Sequence, residues 1–130
     1  INDIERVGDH ADNIAELSMY FIEKDLTFSE ESIKDINTMY EKVMKTYEMS
    51  LQSMREGSSE LALKVVKMEE QVDIIERSCR SAHIYRLNNS MCNPEAGIIF
   101  LDLLSNLERI SDHASNIAKA VIDAKGSISA

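Results

Sequence analysis

The sequence predicts an all-α protein, an antiparallel up-down bundle of four long helices. Three observations carry this. Apolar residues recur at spacings of three and four in four successive blocks, as on a helix with one buried face. The 130 residues include only four Gly and one Pro, so long stretches run without a breaker. Val, Thr and the aromatics, the last at 5%, are too sparse for a sheet protein.

The first block is Ile4, Val7, Ala11, Ile14, Leu17 and Phe21, a helix over residues 1–25 that closes near Lys24 and Asp25. Thr27 and Ser29 both offer N-caps for the next helix, and Thr27-x-x-Glu30 has capping-box form. The second stripe runs Ile33, Ile36, Tyr40, Val43, Tyr47, Leu51, Met54 and stops at Gly57, which suits the residue just past a helix end. Ser58 and Ser59 can cap the third helix, whose stripe is Leu61, Val65, Met68, Val72, Ile75, Cys79, Ala82. Residues 88–93 read as a turn, with Asn93 as N-cap and Pro94 in the first helical position. The fourth stripe is Leu101, Leu104, Leu107, Ile110, Ala114, Ile117, Val121; Gly126 ends it and leaves 126–130 as a frayed tail. Each helix is then roughly 25–32 residues, or about 40–48 Å long at 1.5 Å per residue.

The net charge is −9, from 23 acids against 14 bases. Such a chain is repelled by nucleic acid and by anionic lipid, and attracts cations or a basic protein patch. Cys79 and Cys92 form no paired motif, so free thiols and a cytosolic setting are the expectation. No apolar run approaches the ~20 residues of a membrane span, so direct membrane insertion is not expected. The chain opens Ile-Asn-Asp within a helical pattern, which reads as a piece of a longer protein.

Residues 1–16, INDIERVGDHADNIAE, return as residues 104–119, LSNLERISDHASNIAK. Eight residues are identical in register, among them Glu5 with Glu108, Asp9 with Asp112 and His10 with His113. Core packing needs apolar residues at helical spacing; it does not need Glu-Arg, Asp-His and Asn at fixed offsets. The offset of 103 implies a unit of about three helices. Residues 1–25 are then the last helix of one unit, and residues 29–125 a complete second unit.

Glu108 and Asp112 lie four apart on the fourth helix, and Glu69 and Asp73 four apart on the third, each pair beside a core stripe. In an antiparallel hairpin, the pairs 69 with 112 and 73 with 108 share a midpoint near 90–91, inside the turn located independently. Glu69 should therefore face Asp112, and Asp73 should face Glu108. Four carboxylates at one level repel, more so when partly desolvated. Protonation, basic partners or a bound cation must offset that repulsion. Carboxylate oxygens suit a hard or borderline divalent or trivalent ion, with Fe, Mn and Mg the leading candidates and Ca also compatible; the absence of thiolate ligation argues against structural zinc.

Glu5 and Asp9 form a second, incomplete pair. The same hairpin arithmetic about the turn after the first helix leads to Thr46 and Ser50, which are not carboxylates, so its complement is expected outside this chain or on another subunit. Asn13, Asn116, Arg109 and His113 are candidate supporting groups around the carboxylates. His10 and His113 each follow a motif Asp and point about 100° away from it. Glu70 and Glu76 are spare carboxylates near the site; His83 reads as structural, and the methionines as packing. The bland alternative is a solvated acidic face neutralised by Arg77, Arg80 and Arg109.

Residues 107–118, LERISDHASNIA, and 4–15, IERVGDHADNIA, resemble the PhoU family signature, and Glu69-x-x-x-Asp73 matches its acidic motif. The stretch 92–97, CNPEAG, with the apolar run and Leu107-Glu108-Arg109 after it, is similar to a narrower group: the PhoU-like C-terminal domains of bacterial sodium/phosphate cotransporter-family proteins. Ser111 stands where the first copy has Gly8. The resemblance implies tandem three-helix units, metal clusters on the motif helices, and control of phosphate uptake. It also implies a phosphate transporter as partner, attached or docked at the cytoplasmic face of the membrane, and a homodimer.

The expected function is therefore a regulatory metal-binding domain and not an enzyme. A ferritin-like di-metal oxidase would need Glu-x-x-His, and no such spacing occurs. No nucleophilic triad, phosphate-cradling glycine loop or nucleic-acid patch is visible. The alternative is a metal-free acidic module for helical interaction or dimerisation.

Overall fold

A computed structural model describes residues 2–129, with side chains through residue 126. It contains four helices: α1 (Asn2–Glu23), α2 (Glu30–Glu56), α3 (Ser59–Asn88) and α4 (Pro94–Ser129). Among the described residues, α2, α3 and α4 all pack on one another, whereas α1 packs on α4 alone. The arrangement is a three-helix unit with a fourth helix laid antiparallel along its last member.

The boundaries follow local chemistry. Ser29 Oγ accepts from Ser32 N–H at 3.2 Å and caps α2. Glu30 is therefore the first helical residue, and the Thr27–Glu30 capping box does not form. Gly57 closes α2 at φ +61°, with Ser58 N–H donating to Ser53 O at 2.9 Å. That left-handed geometry is the ordinary niche of glycine. Ser58 Oγ then caps α3 by accepting from Leu61 N–H. Asn93 Oδ1 accepts from the N–H groups of Glu95 and Ala96 at 2.9 and 3.1 Å, and Pro94 opens α4 as its sequence position predicts. Two expected ends move. α1 stops at Glu23, two residues short of the forecast. α4 runs through Gly126 to Ser129, because a lone glycine lowers helix propensity without breaking the hydrogen-bond ladder; Ala130 lies outside the described residues.

Phe100 anchors the main core, among Met39, Val43, Val72, Leu104, Leu107 and Ile110. A smaller cluster of Ala62, Val65, Ala118 and Val121 fills the other end. At the α3–α4 turn, His83 is buried, as its structural reading requires, with Nε2 at 3.1 Å from Gly97 O and its ring stacked on Phe100. A Cβ on Gly97 would stand 2.7 Å from Leu87 Cδ2 and 3.0 Å from His83 Nε2, so a side chain there would make those two side chains shift.

The α2 stripe is corrected in part: Val43 is buried and Ile36 and Tyr47 pack on the main core, but other members face outward. Ile33, Tyr40 and Met54 are 46%, 52% and 44% exposed. The buried positions are Ser32, Met39, Val43, Thr46, Ser50 and Ser53. The hydroxyls of Thr46, Ser50 and Ser53 donate to carbonyls three or four residues back on the same helix at 2.6–2.7 Å. They are thus satisfied without a cross-helix partner and can be buried at little cost. α4 likewise buries Ser111, Ala114, Ser115 and Ala118. Small side chains at helix contacts let the axes approach.

The hydroxyls of Ser111 and Ser115 are buried without a hydrogen-bond partner. Ser111→Ala is therefore expected to be neutral or to stabilise by about 1 kcal/mol, since an unsatisfied buried hydroxyl is removed. A denaturant midpoint that falls by more than the equivalent of about 1 kcal/mol would contradict this.

Candidate metal centre

α3 and α4 meet in the register expected from the turn. One carboxylate oxygen from each of Glu69, Asp73 and Asp112 lies within 4.8 Å of the other two, and all three residues are half-buried. Core residues hold the backbone on either side: Val72 on α3, and Leu107 and Ile110 on α4, are nearly or fully buried. The acids sit beside these positions and are drawn partly out of water with them.

Glu108 is half-buried on the same seam but contributes no oxygen to the three-residue convergence. Its carboxyl is pushed up to about 7, first by burial, then by Asp112, with Asp73 and Glu76 adding to the effect. Glu69 is also pushed up to about 7, first by burial, then by Asp112 and Asp73. Desolvation and neighbouring negative charge both disfavour ionisation, and here they act together.

Basic partners do not relieve the convergence. Arg80 engages Glu76 and Ser105. Arg77 and Arg109 are exposed, and among the described residues neither forms an ion pair. Of these three arginines, Arg80 alone pairs with an acid among the described residues, Glu76. Glu70 is exposed. Three carboxylate oxygens at this separation, partly desolvated and without a counter-charge, form a donor set that fits a hard cation. Glu69, Asp73 and Asp112 would hold it.

The remaining expected site residues lie elsewhere. Glu5 and Asp9 are exposed on α1 and are not among the three converging acids. The extrapolation from Glu5 and Asp9 to Thr46 and Ser50 fails because α1 packs on α4 and not on α2, and Thr46 and Ser50 are buried. Asn13, Asn116 and His113, expected as supports for the carboxylates, instead build the α1–α4 seam. His10 Nδ1 and Asn13 Nδ2 donate to Asn106 Oδ1 at 3.0 and 3.1 Å. His113 Nδ1 and Asn116 Nδ2 donate to Asp3 Oδ1 at 2.9 and 3.3 Å. The His10 and His113 rings stack at 5.6 Å between these clusters. The Asp3 carboxyl is held below its usual value, chiefly by the His113 hydrogen bond.

Asp3 and Asn106 occupy equivalent places in the repeat, 103 residues apart. Each copy's His and Asn therefore grip the other copy's third residue, and the two helices meet about a local two-fold. Sequence reasoning missed Asp3 and Asn106, although the repeat alignment had put them in register. A groove of about 340 Å³ lies against Met54, Ile117 and Val121 and includes none of the four seam carboxylates.

A family model described as the PhoU domain matches residues 36–121. The chain is 28% identical over 121 residues to the phosphate-specific transport system accessory protein PhoU homolog 1 of Thermotoga maritima, covering 93% of this chain and 51% of that protein. It is 30% identical over 123 residues to the phosphate-specific transport system accessory protein PhoU homolog of Pseudomonas aeruginosa, covering 92% of this chain and 49% of that one. The chain thus spans about half the length of the curated relatives it matches. No solved structure matches it at a significant level.

Proposed function

The chain belongs to the PhoU domain family, and from that membership we propose that it is a regulatory, non-catalytic domain that controls phosphate uptake and holds a cation between α3 and α4. The relatives' names, as accessory proteins of phosphate-specific transport, support the regulatory half. The observation that carries the cation is the convergence of Glu69, Asp73 and Asp112, which form no ion pair among the described residues. Glu108, on α4 with Asp112, lies on the same seam but contributes no oxygen to that convergence. Fe, Mn or Mg fits the all-oxygen donors. The ion supplies positive charge that cancels the repulsion across the α3–α4 seam. Val72, Leu107 and Ile110 keep the carboxylates aimed at one another whether or not an ion is bound.

No helix among the described residues is long and apolar enough to cross a membrane. The partner in this reading is a phosphate transporter, engaged at the cytoplasmic face of the membrane. Attachment to a sodium/phosphate cotransporter rests on the resemblance of the residue 92–97 stretch to that group. A homodimer belongs to the same reading. The incomplete pair Glu5 and Asp9 awaits carboxylates from a segment or subunit other than these four helices.

Elemental analysis of protein purified without chelator tests the centre directly. Stoichiometric Fe, Mn or Mg is expected, and a combined Glu69→Gln and Asp112→Asn variant should lose it. Metal-free protein whose melting curve is unmoved by any of the three ions would leave the acidic interaction module as the better reading.

A further inference from the structure

We infer that His83 is a proton-sensitive latch: as the neutral ring it ties the α3–α4 turn to α2 through Arg86, and a proton on its Nδ1 releases that end of the bundle. The geometry decides the charge state. His83 is buried, and its Nε2 lies 3.1 Å from Gly97 O. A carbonyl only accepts, so Nε2 carries a hydrogen. Its Nδ1 lies 3.5 Å from Arg86 Nη2. A guanidinium only donates, so Nδ1 carries none. The neutral ring with its hydrogen on Nε2 is the one form that suits both neighbours.

Arg86 carries the contact onward. Its side chain is 8% exposed, and its Nη2 also lies 3.5 Å from Asp35 Oδ2. Gly97 on α4, His83 and Arg86 on α3, and Asp35 on α2 thus form one chain of polar contacts across three helices. The Phe100 ring stacks on His83 and covers it.

A proton on Nδ1 would set N–H against N–H and imidazolium against guanidinium, in a place where burial already disfavours charge. Few groups could offset it. Asp35 from α2 is the facing carboxylate, and Arg86 already engages it. From α4 come a carbonyl and a ring, Gly97 and Phe100. α1 does not pack on α3. Cys79, four residues back on α3, stays a neutral thiol, pushed up to about 11 first by burial and then by Asp35. Burial and then Arg86 hold His83 below its ordinary value of 6.5.

When the turn opens, His83 meets water and takes a proton at that ordinary value. The latch contributes fully above 6.5 and is lost as pH falls below it. Opening should become about tenfold more favourable between pH 7.5 and 5.5.

The test is amide hydrogen exchange followed by NMR at those two pH values, corrected for the intrinsic exchange rate. Met91 N–H, which donates to Arg86 O, and Gly97 N–H, which donates to Asn93 O, report the turn. Ala62 and Val65, in the cluster at the other end, serve as references. Protection at Met91 and Gly97 should fall about tenfold relative to the references in the unaltered chain. His83→Gln can still donate to Gly97 O but does not titrate, and its ratio should stay constant. A change under twofold in the unaltered chain, or an equal fall in His83→Gln, overturns the inference. Should His83→Gln fold poorly, the ¹⁵N shifts of the His83 ring decide. A hydrogen on Nε2 alone is expected at pH 7.5; a hydrogen on Nδ1 at that pH overturns the latch.

Discussion

Metal-free protein is expected to lose stability as pH rises from about 5 to about 7.5, and a divalent cation is expected to restore it. Burial and neighbouring carboxylates push the Glu69 and Glu108 carboxyls up to about 7, from an ordinary value of 4.5. Their folded values are raised, so between about 4.5 and 7 the native state binds more protons than the unfolded one. Stability is then greatest below the unfolded value and falls as pH climbs to the folded value. Both carboxyls keep contact with solvent and share one field, so the loss across the pair is on the order of 2 kcal/mol, well short of the two shifts taken at face value.

His83 acts in the opposite direction. Burial lowers its affinity for a proton, so its contribution is lost as pH falls. Comparison with a Glu69→Gln, Glu108→Gln variant isolates the carboxylate contribution, because His83 is common to both proteins and largely cancels. The variant should show a flatter profile and, without metal, a higher midpoint at pH 7.5. Saturating Mn²⁺ or Mg²⁺ at a thousandfold excess over Kd should add about 4 kcal/mol to the unaltered chain and little to the variant. Parallel profiles, with equal response to metal, would falsify the idea that these two carboxyls carry the strain.

Phe100→Ala is expected to be the most damaging single substitution, at about 4 kcal/mol. The ring is fully buried and central to the main core. It stacks on His83 at 4.2 Å between centroids and meets Phe28 edge-on at 5.8 Å. The Arg86 guanidinium lies 5.9 Å from its centre. Removing the ring opens a cavity beside two buried polar groups, one of which, Arg86 Nε, already has no hydrogen-bond partner. Lost packing and weaker cover of the Arg86–Asp35 pair, 3.5 Å apart, add together. A fall in Tm of about 15 °C is the expected reading, and Phe100→Leu should recover more than half of it. A loss under about 2 kcal/mol would show that the hairpin end collapses to fill the space.

How the helices meet decided which expectations survive. Ile33, Tyr40 and Met54 form a regular apolar line, yet α2 turns Thr46, Ser50 and Ser53 inward. Periodicity weighs residues by hydropathy, but a hydroxyl that donates to its own helix counts as apolar in a close contact. Glu5 and Asp9 were extrapolated along a hairpin of α1 and α2 that does not exist. The connection is short, but α1 crosses to α4 and is held there by His10, Asn13, His113 and Asn116. Asn13, Asn116 and His113 were expected to support the carboxylates; with His10 they join α1 to α4 instead.

The sequence by itself determined four helices, three of their caps and the register of the α3–α4 hairpin, because these depend on contacts close along the chain and on one short turn. It thereby put Glu69 opposite Asp112. Only the tertiary structure decided which helix α1 lies on, that Arg80 goes to Glu76 and Ser105, and that Glu108 stands beside the three converging oxygens. Those outcomes depend on side-chain reach between faces far apart in sequence, where many partners have the right chemistry and packing selects one.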